Sequence, residues 1–157
     1  MELASIMAKT SAKAATVKPV YRLESQVGFI LRQANQRHLT IFQRHITDLT
    51  PTQFATLAKL SEMGPSSQIA LGQATAMDAA TLAGVIDRLV SRGLVDRAAD
   101  PIDKRRRVVH LTDAGSSAFA NVETNAHVIT SETLIPLSKS EREQFLFLLA
   151  KIAGRNV

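Results

Sequence analysis

DAATLAGVIDRLVSRGLVDRAADPIDKRRRVVHLT, residues Asp78 to Thr112, is the stretch from which the fold is read. Within it Leu82, Val85, Ile86, Leu89 and Val90 recur at helical spacing, and Asp78 stands where an N-cap is needed. A helix is expected over Ala79–Arg92, stopping at Gly93, the usual left-handed C-cap. Two β-branched runs follow, Leu94–Arg97 and Arg107–Leu111. Between them lie Asp100-Pro101 and a cluster of charges, which a buried strand does not tolerate. The segment reads as a hairpin with a long exposed tip, after which Thr112 caps another helix.

Upstream, Thr50, Pro51 and Gln53 form the cap, first position and capping-box position of a helix presenting Phe54, Leu57, Ala58 and Leu60. It stops at Gly64-Pro65, and Ser66 or Ser67 caps a short helix over Gln68–Thr75. Further back, Val27, Ile30, Leu31, Ala34, Ile41 and Phe42 predict one helix from Tyr21 to Thr47. About 26 residues would span ~39 Å, long enough to reach into a partner subunit. Downstream, Ala118, Phe119, Val122, Ala126 and Ile129 mark a fifth helix, with Pro136 closing that region. Ser138 and Glu141 form a capping box that opens a sixth helix carrying Phe145, Leu146, Leu148, Leu149 and Ile152. The order α-α-α-α-β-β-α-α is mainly α with a small β-ribbon, the order of a winged helix-turn-helix.

The 157 residues suit one domain. Residues 1–20, rich in Ala, Lys, Thr and Ser, are expected to be a disordered arm, leaving 21–157 as a single domain. With 45% hydrophobic and 21% charged residues the composition is that of a soluble globular protein. No apolar run approaches the roughly 18 residues of a membrane span. The absence of cysteine excludes disulfides, thiolate metal sites and a cysteine redox switch, and a cytoplasmic location is expected. Aromatic residues make up only 4%, which argues against the stacking platforms of single-strand binders.

The net charge is +5, and its placement matters more than its size. From Arg88 to Arg107 seven basic residues face three acids, a local excess of +4, whereas Thr112 to the end carries −1. Such a localised field suits a polyanion-binding face. On the Ala79–Arg92 helix the buried stripe leaves Ala79, Ala80, Thr81, Ala83, Gly84 and Asp87 and, one turn on, Arg88 for the outer face. Small side chains there let a backbone approach the floor of a major groove; alanines meet thymine methyls and Thr81 reaches a base edge or phosphate. Packing on another helix is the competing explanation for them. The tip Lys104, Arg105, Arg106 and Arg107 is either a solvated loop or a contact to DNA, and four adjacent cations favour DNA. An arginine at such a tip fits a narrow minor groove. Asp103, two residues before Arg105, would brace that guanidinium by a bidentate pair if the chain is extended. Ser67 and Gln68, opening the third helix, complete the DNA-facing set.

The run Asp87-Arg88-Leu89, Gly93-Leu94-Val95, Arg97, Asp100-Pro101-Ile102-Asp103-Lys104-Arg105-Arg106, Val109-His110-Leu111-Thr112 and Gly115 resembles the signature of the MarR (multiple-antibiotic-resistance regulator) family. The helix order is similar over nearly the whole chain after residue 20. The resemblance implies a homodimer with interlocked first, fifth and sixth helices, so that 50–112 is the DNA-binding lobe and 21–47 with 113–157 the dimerisation region. It implies that each subunit places the Ala79–Arg92 helix in a major groove of a pseudo-palindromic operator on double-stranded DNA. Arg105 becomes the minor-groove arginine and Asp103 its brace. The family often has Gly where this chain has Ala76. A left-handed residue costs Ala about 1 kcal/mol more than Gly, so a different turn geometry is expected there.

Proteins of this kind commonly release DNA when a small aromatic or anionic compound binds between the dimer helices and the DNA-binding lobe, which implies a repressor. His38 falls on the apolar side of the first helix and is either a core histidine satisfied by a neighbour or a group that orients a ligand. Arg32, Asn35 and Gln36 lie near it and are either solvated or holders of a carboxylate or phosphate. The start of that helix, from Tyr21 to Arg32, is similar to MarR-like regulators of aromatic-acid catabolism, some of which sense acyl-coenzyme A thioesters. His38, His45, His110 and His127 show no metal-ligand spacing beyond the seven-residue gap of the first two, so no metal site is expected. No phosphate loop, paired-carboxylate signature or nucleophile motif points to an enzyme, and no cofactor is expected. The competing reading, a winged-helix module for protein–protein contact, has no need of four adjacent cations.

Overall fold

The computed structural model describes residues 20–100 and 102–155. Apart from Val20, the arm expected over residues 1–20 lies outside them. The described elements are α1 (Val27–His45), α2 (Pro51–Met63), α3 (Gln68–Thr75), α4 (Ala79–Ser91), β1 (Val95–Ala99), β2 (Arg107–Leu111), α5 (Asp113–Thr133) and α6 (Lys139–Ile152), with a 3-10 turn at Leu23–Ser25 before α1. This is the winged helix-turn-helix order read from the sequence.

Five helix starts are fixed by side chains next to them in the chain. Thr50 and Ser138 head full capping boxes with Gln53 and Glu141. Ser67 accepts from the Ala70 N–H, Asp78 from the Thr81 N–H and Thr112 from the Gly115 N–H. Ser66, the other candidate cap for α3, instead bridges Val109 with backbone hydrogen bonds of 3.0 and 2.8 Å, adding a one-residue edge to the ribbon.

The first helix is shorter than the Tyr21–Thr47 span expected. The Ser25 hydroxyl and Gln26 side-chain amide both donate to the Arg22 carbonyl, and Gln26 itself is extended (φ −81°, ψ 132°). Local side-chain bonds of this kind compete with helix propagation. At the other end Ile46 turns out to φ −131° and is buried. The remaining 19 residues span ~28 Å.

The ribbon is antiparallel, pairing Val95 with Leu111 through Ala99 with Arg107. Its first strand is shifted by one residue from expectation and runs on to Ala99. The Leu94 N–H is held by the Leu89 carbonyl, closing the end of α4, and Gly93 takes φ 69° as its cap role requires.

The core joins α1, α2, α3, α4, α5 and the ribbon. Leu57, Leu71, Leu82, Ile86 and Leu89 are fully buried, and Phe54 stacks between Phe42 and Phe119 with centroids 5.9 and 5.6 Å apart. Gly115 lets α5 cross the ribbon, because a Cβ there would collide with the Leu94 carbonyl oxygen. By contrast α6 buries no residue, and Val27, Ile30 and Leu31 on the first half of α1 are exposed. Among the described residues no single helix is long and apolar enough to cross a membrane.

Candidate nucleic-acid interface

Helices α3 and α4 meet at 106°, and the turn between them rests on Ala76. Contrary to the expected departure, Ala76 keeps the left-handed conformation (φ 54°, ψ 37°), the one described non-glycine residue at positive φ. The turn survives without glycine because the Met77 N–H bonds the Gly72 carbonyl at 3.0 Å while Leu71 and Leu82 lock the two helices from below. Nearby packing outweighs the local conformational cost.

On α4, Leu82, Val85, Ile86 and Leu89 are buried, while Ala79, Ala80, Thr81, Asp87 and Arg88 are exposed and Ala83 and Gly84 half-buried. The Thr81 hydroxyl donates to Asp78 at 2.6 Å. That bond, followed by the backbone N–H of Thr81, holds the Asp78 carboxyl below its usual range. The Arg88 guanidinium lies back along the helix over Gly84, where a Cβ would stand 3.5 Å from Nη1.

The wing tip is ordered by its own acids. Asp100 Oδ1 accepts the N–H groups of Ile102 (2.8 Å) and Asp103 (3.3 Å), and the Asp100 N–H reaches the Arg106 carbonyl (2.9 Å). Asp103 Oδ1 accepts the Arg105 N–H at 3.1 Å, while Oδ2 pairs with Arg106 Nε at 3.4 Å. The expected bidentate pair with the Arg105 guanidinium is therefore corrected. The tip is a turn, closed by the Arg106 N–H on the Asp103 carbonyl (2.8 Å), so residue 106 rather than 105 comes beside the carboxylate. Lys104, Arg105, Arg106 and Arg107 are all exposed.

Between α3 and the ribbon lies a concavity of about 750 Å³ lined by Ser67, Gln68, Ile69, Ala70, Gln73, Arg97, Arg106, Arg107, Val108 and Val109. Ser67 contributes little polarity to it, since its hydroxyl is engaged as the α3 cap. Arg97 crosses from β1 to Asp87 on α4 (Nη2–Oδ1 2.5 Å), tying wing to helix. The C-terminal end of α4 is anchored separately, Arg92 donating to the Asp48 carbonyl (2.8 Å) and Gln53 Oε1 (3.3 Å). Neither tie is visible in the sequence, because each joins residues of different elements whose spacing carries no periodic signal.

The four residues singled out near His38 divide. His38 is half-buried with Nδ1 3.1 Å from Thr133 Oγ1, so it has its satisfying neighbour. With Asn35 it also lines a cavity of about 380 Å³ completed by Leu31, Ala34, Thr130, Thr133, Leu134, Phe145, Leu146 and Leu149. Arg32 does not join them; its guanidinium sits 5.2 Å over the Phe29 ring. Gln36 is exposed and lies outside that lining, since its position on α1 is rotated away from the face that Asn35 and His38 share. Lower on the same pair of helices Glu132 of α5 takes both Arg44 and His45 of α1, the latter at 2.7 Å. Asn125 holds the His45 carbonyl at 2.8 Å.

A model of the MarR family matches residues 49–106. The transcriptional repressor NicR of Pseudomonas putida is 42% identical over 134 residues, 84% of this chain and 85% of that one. The crystal structure of a probable transcriptional regulator from Pseudomonas aeruginosa superposes with TM-score 0.80 at 48% identity, covering 83% of this chain and 99% of that one. BpsR of Bordetella bronchiseptica, whose DNA binding is regulated by 6-hydroxynicotinic acid, superposes with TM-score 0.81 at 38% identity, covering 87% and 99%.

Proposed function

The chain belongs to the MarR family, and from that premise we propose that it is a dimeric transcription repressor which holds a pseudo-palindromic operator until a small aromatic or anionic effector releases it. The observation that carries this reading is the Asp87–Arg97 tie, which sets an exposed small-residue helix face beside a cationic wing. Ala79, Ala80, Thr81, Ala83 and Gly84 of α4 enter the major groove, and Arg88 follows them to base edge or phosphate. Arg105 at the tip enters the adjacent minor groove. Lys104, Arg106, Arg107, Ser67 and Gln68 take phosphates, while Asp103 shapes the tip.

Residues 50–112 act as the DNA-binding lobe. The apolar faces of α1 and α6, left exposed in one chain, are where 21–47 and 113–157 meet a second copy. The effector site lies at the His38–Asn35 cavity, whose wall combines ring-sized apolar surface with a few polar groups. BpsR makes aromatic acids the first compounds to try, beginning with 6-hydroxynicotinic acid, and the resemblance at the start of the first helix adds their coenzyme A thioesters.

The test is enrichment of duplexes from a random-sequence library by the full chain, followed by release assays. An inverted repeat with half-sites one helical turn apart is expected, together with an aromatic acid that raises the melting temperature and lowers DNA affinity. His38→Ala should blunt that release without changing affinity for DNA. Recovery of no preferred sequence contradicts the reading.

A further inference from the structure

Large apolar side chains that stay in water within the described lobe are three: Met63, Ile69 and Ile102. The remaining exposed ones lie before or along α1, on α5 and α6, or in the joint between those two, on the faces given above to a second copy. Ile69 and Ile102 are different. They are 77% and 96% exposed, and both belong to the cationic side of the lobe. Ile69, in the first turn of α3, forms part of the wall of the 750 Å³ concavity together with Arg97, Arg106 and Arg107. Ile102 sits at the wing tip, two residues before Lys104.

Ile102 is not loosely held. Its N–H is fixed to Asp100 Oδ1, the same carboxylate fixes the next residue, and Asp100 is bound in turn to the Arg106 carbonyl. The turn thus fixes the backbone at Ile102, whose exposed side chain stands just ahead of the Lys104–Arg107 run. A β-branched side chain has few rotamers to lose on contact, so an ordered isoleucine is an inexpensive apolar probe. What would cover it must be anionic enough to be drawn to the surrounding cations and yet offer carbon at close range. A second copy of this chain, locally basic here, does not meet the first condition. The sugar–phosphate backbone of duplex DNA meets both: phosphates engage the arginines, and deoxyribose carbons lie between them in the groove wall.

We propose that Ile69 and Ile102 are apolar DNA contacts, packing on deoxyribose at the wall of the arginine concavity and at the wing tip respectively, and supplying a salt-independent part of the affinity. This rests on the DNA-binding reading above and goes beyond its polar contacts. Apolar side chains in minor-groove proteins act in the same physical way, as contacts that no counterion competes for.

The experiment measures binding of the wild-type chain, Ile69→Ala, Ile102→Ala, the double variant and Lys104→Ala to a duplex enriched by the wild type, across a salt series. Each isoleucine variant is expected to bind roughly fivefold more weakly at every salt concentration, since one buried methylene is worth about fourfold in an equilibrium constant. The slope of log affinity against log salt should stay at the wild-type value, and the two losses should multiply in the double variant. Lys104→Ala, which removes one phosphate contact from each subunit of the dimer, should instead lower the slope by about two. Ile102→Leu should recover most of the loss at the tip. Both positions are exposed, so melting temperature and sedimentation should match the wild type. Isoleucine variants that bind like the wild type, that change the slope, or that change the oligomeric state overturn the proposal. A wild-type chain that enriches no duplex or shows a flat slope overturns the DNA reading itself, a distinct result.

Discussion

Arg97 on the first wing strand and Asp87 on the recognition helix are joined by an ion pair of 2.5 Å, which ties the two DNA-facing elements across their exposed sides. Both side chains remain partly in water, where such a pair contributes about 0–1 kcal/mol to stability. Its value is positional. Asp87→Asn is expected to leave the melting temperature nearly unchanged while freeing Arg97 for phosphate. The salt slope should then steepen by up to about 0.9 per new phosphate contact, and preference for operator over random duplex should fall by about tenfold, or 1.4 kcal/mol. Unchanged preference would show that wing and helix need no tie.

Gly84 sets stability against binding. It lies inside α4, where glycine costs roughly 0.5–1 kcal/mol relative to alanine. A Cβ there would meet the Arg88 guanidinium alone, at ordinary contact distance. Gly84→Ala is therefore expected to raise stability by about 1 kcal/mol and to weaken operator binding, by holding the helix off the groove floor and moving Arg88. Thermal unfolding and a binding isotherm on one preparation check both signs.

Two backbone positions carry opposite expectations. Ala76 is held left-handed, so Ala76→Gly should stabilise the fold by about 1 kcal/mol. Gly115→Ala drives a Cβ into the Leu94 carbonyl oxygen and should destabilise it by roughly 1–3 kcal/mol or prevent folding. Denaturant midpoints for the pair measure both.

The α1–α5 clamp gives a pH dependence with a defined sign. The Glu132 carboxyl is held below its ordinary value of 4.5, first by the hydrogen bond from His45 and then by the charge and hydrogen bond of Arg44. A depressed folded-state pKa means stability present in full above the unfolded value and lost as pH falls through the folded one. Melting temperatures of wild type and Glu132→Gln should differ at neutral pH and converge in acid. A constant gap down to strongly acidic pH would remove Glu132 from the clamp.

What was legible in the sequence was local. Thr50, Asp78, Thr112 and Ser138 each cap a helix through a neighbour three residues on, so their reach is visible in the chain itself. The buried stripe of α4 follows from periodicity in the same way. Contacts closed by tertiary structure were not legible. The His45–Glu132 pair spans 87 residues, and nothing in the periodicity of either helix announces it. Asn35 and His38 share a cavity with Thr130 and Leu149 only because α1, α5 and α6 converge, which also explains why Arg32 and Gln36, close in sequence, fall elsewhere. At Asp103 the difference is local: extended spacing sets Arg105 beside it, but Asp100 folds the chain into a turn that exchanges Arg105 for Arg106 as the side-chain partner. At Ala76 the local conformational cost is real, and the packing of Leu71 and Leu82 outweighs it.

The most direct test of the central claim, that the α4 face and the cationic wing grip duplex DNA, is a salt titration of operator binding by the wild type and Arg105→Ala. With about 6–10 phosphate contacts in a dimer, wild-type affinity should fall by roughly 10³–10⁵ between 50 and 200 mM salt. Arg105→Ala should bind more weakly throughout while sedimenting as the same dimer. A flat titration, or an Arg105→Ala variant indistinguishable from wild type, would contradict the account.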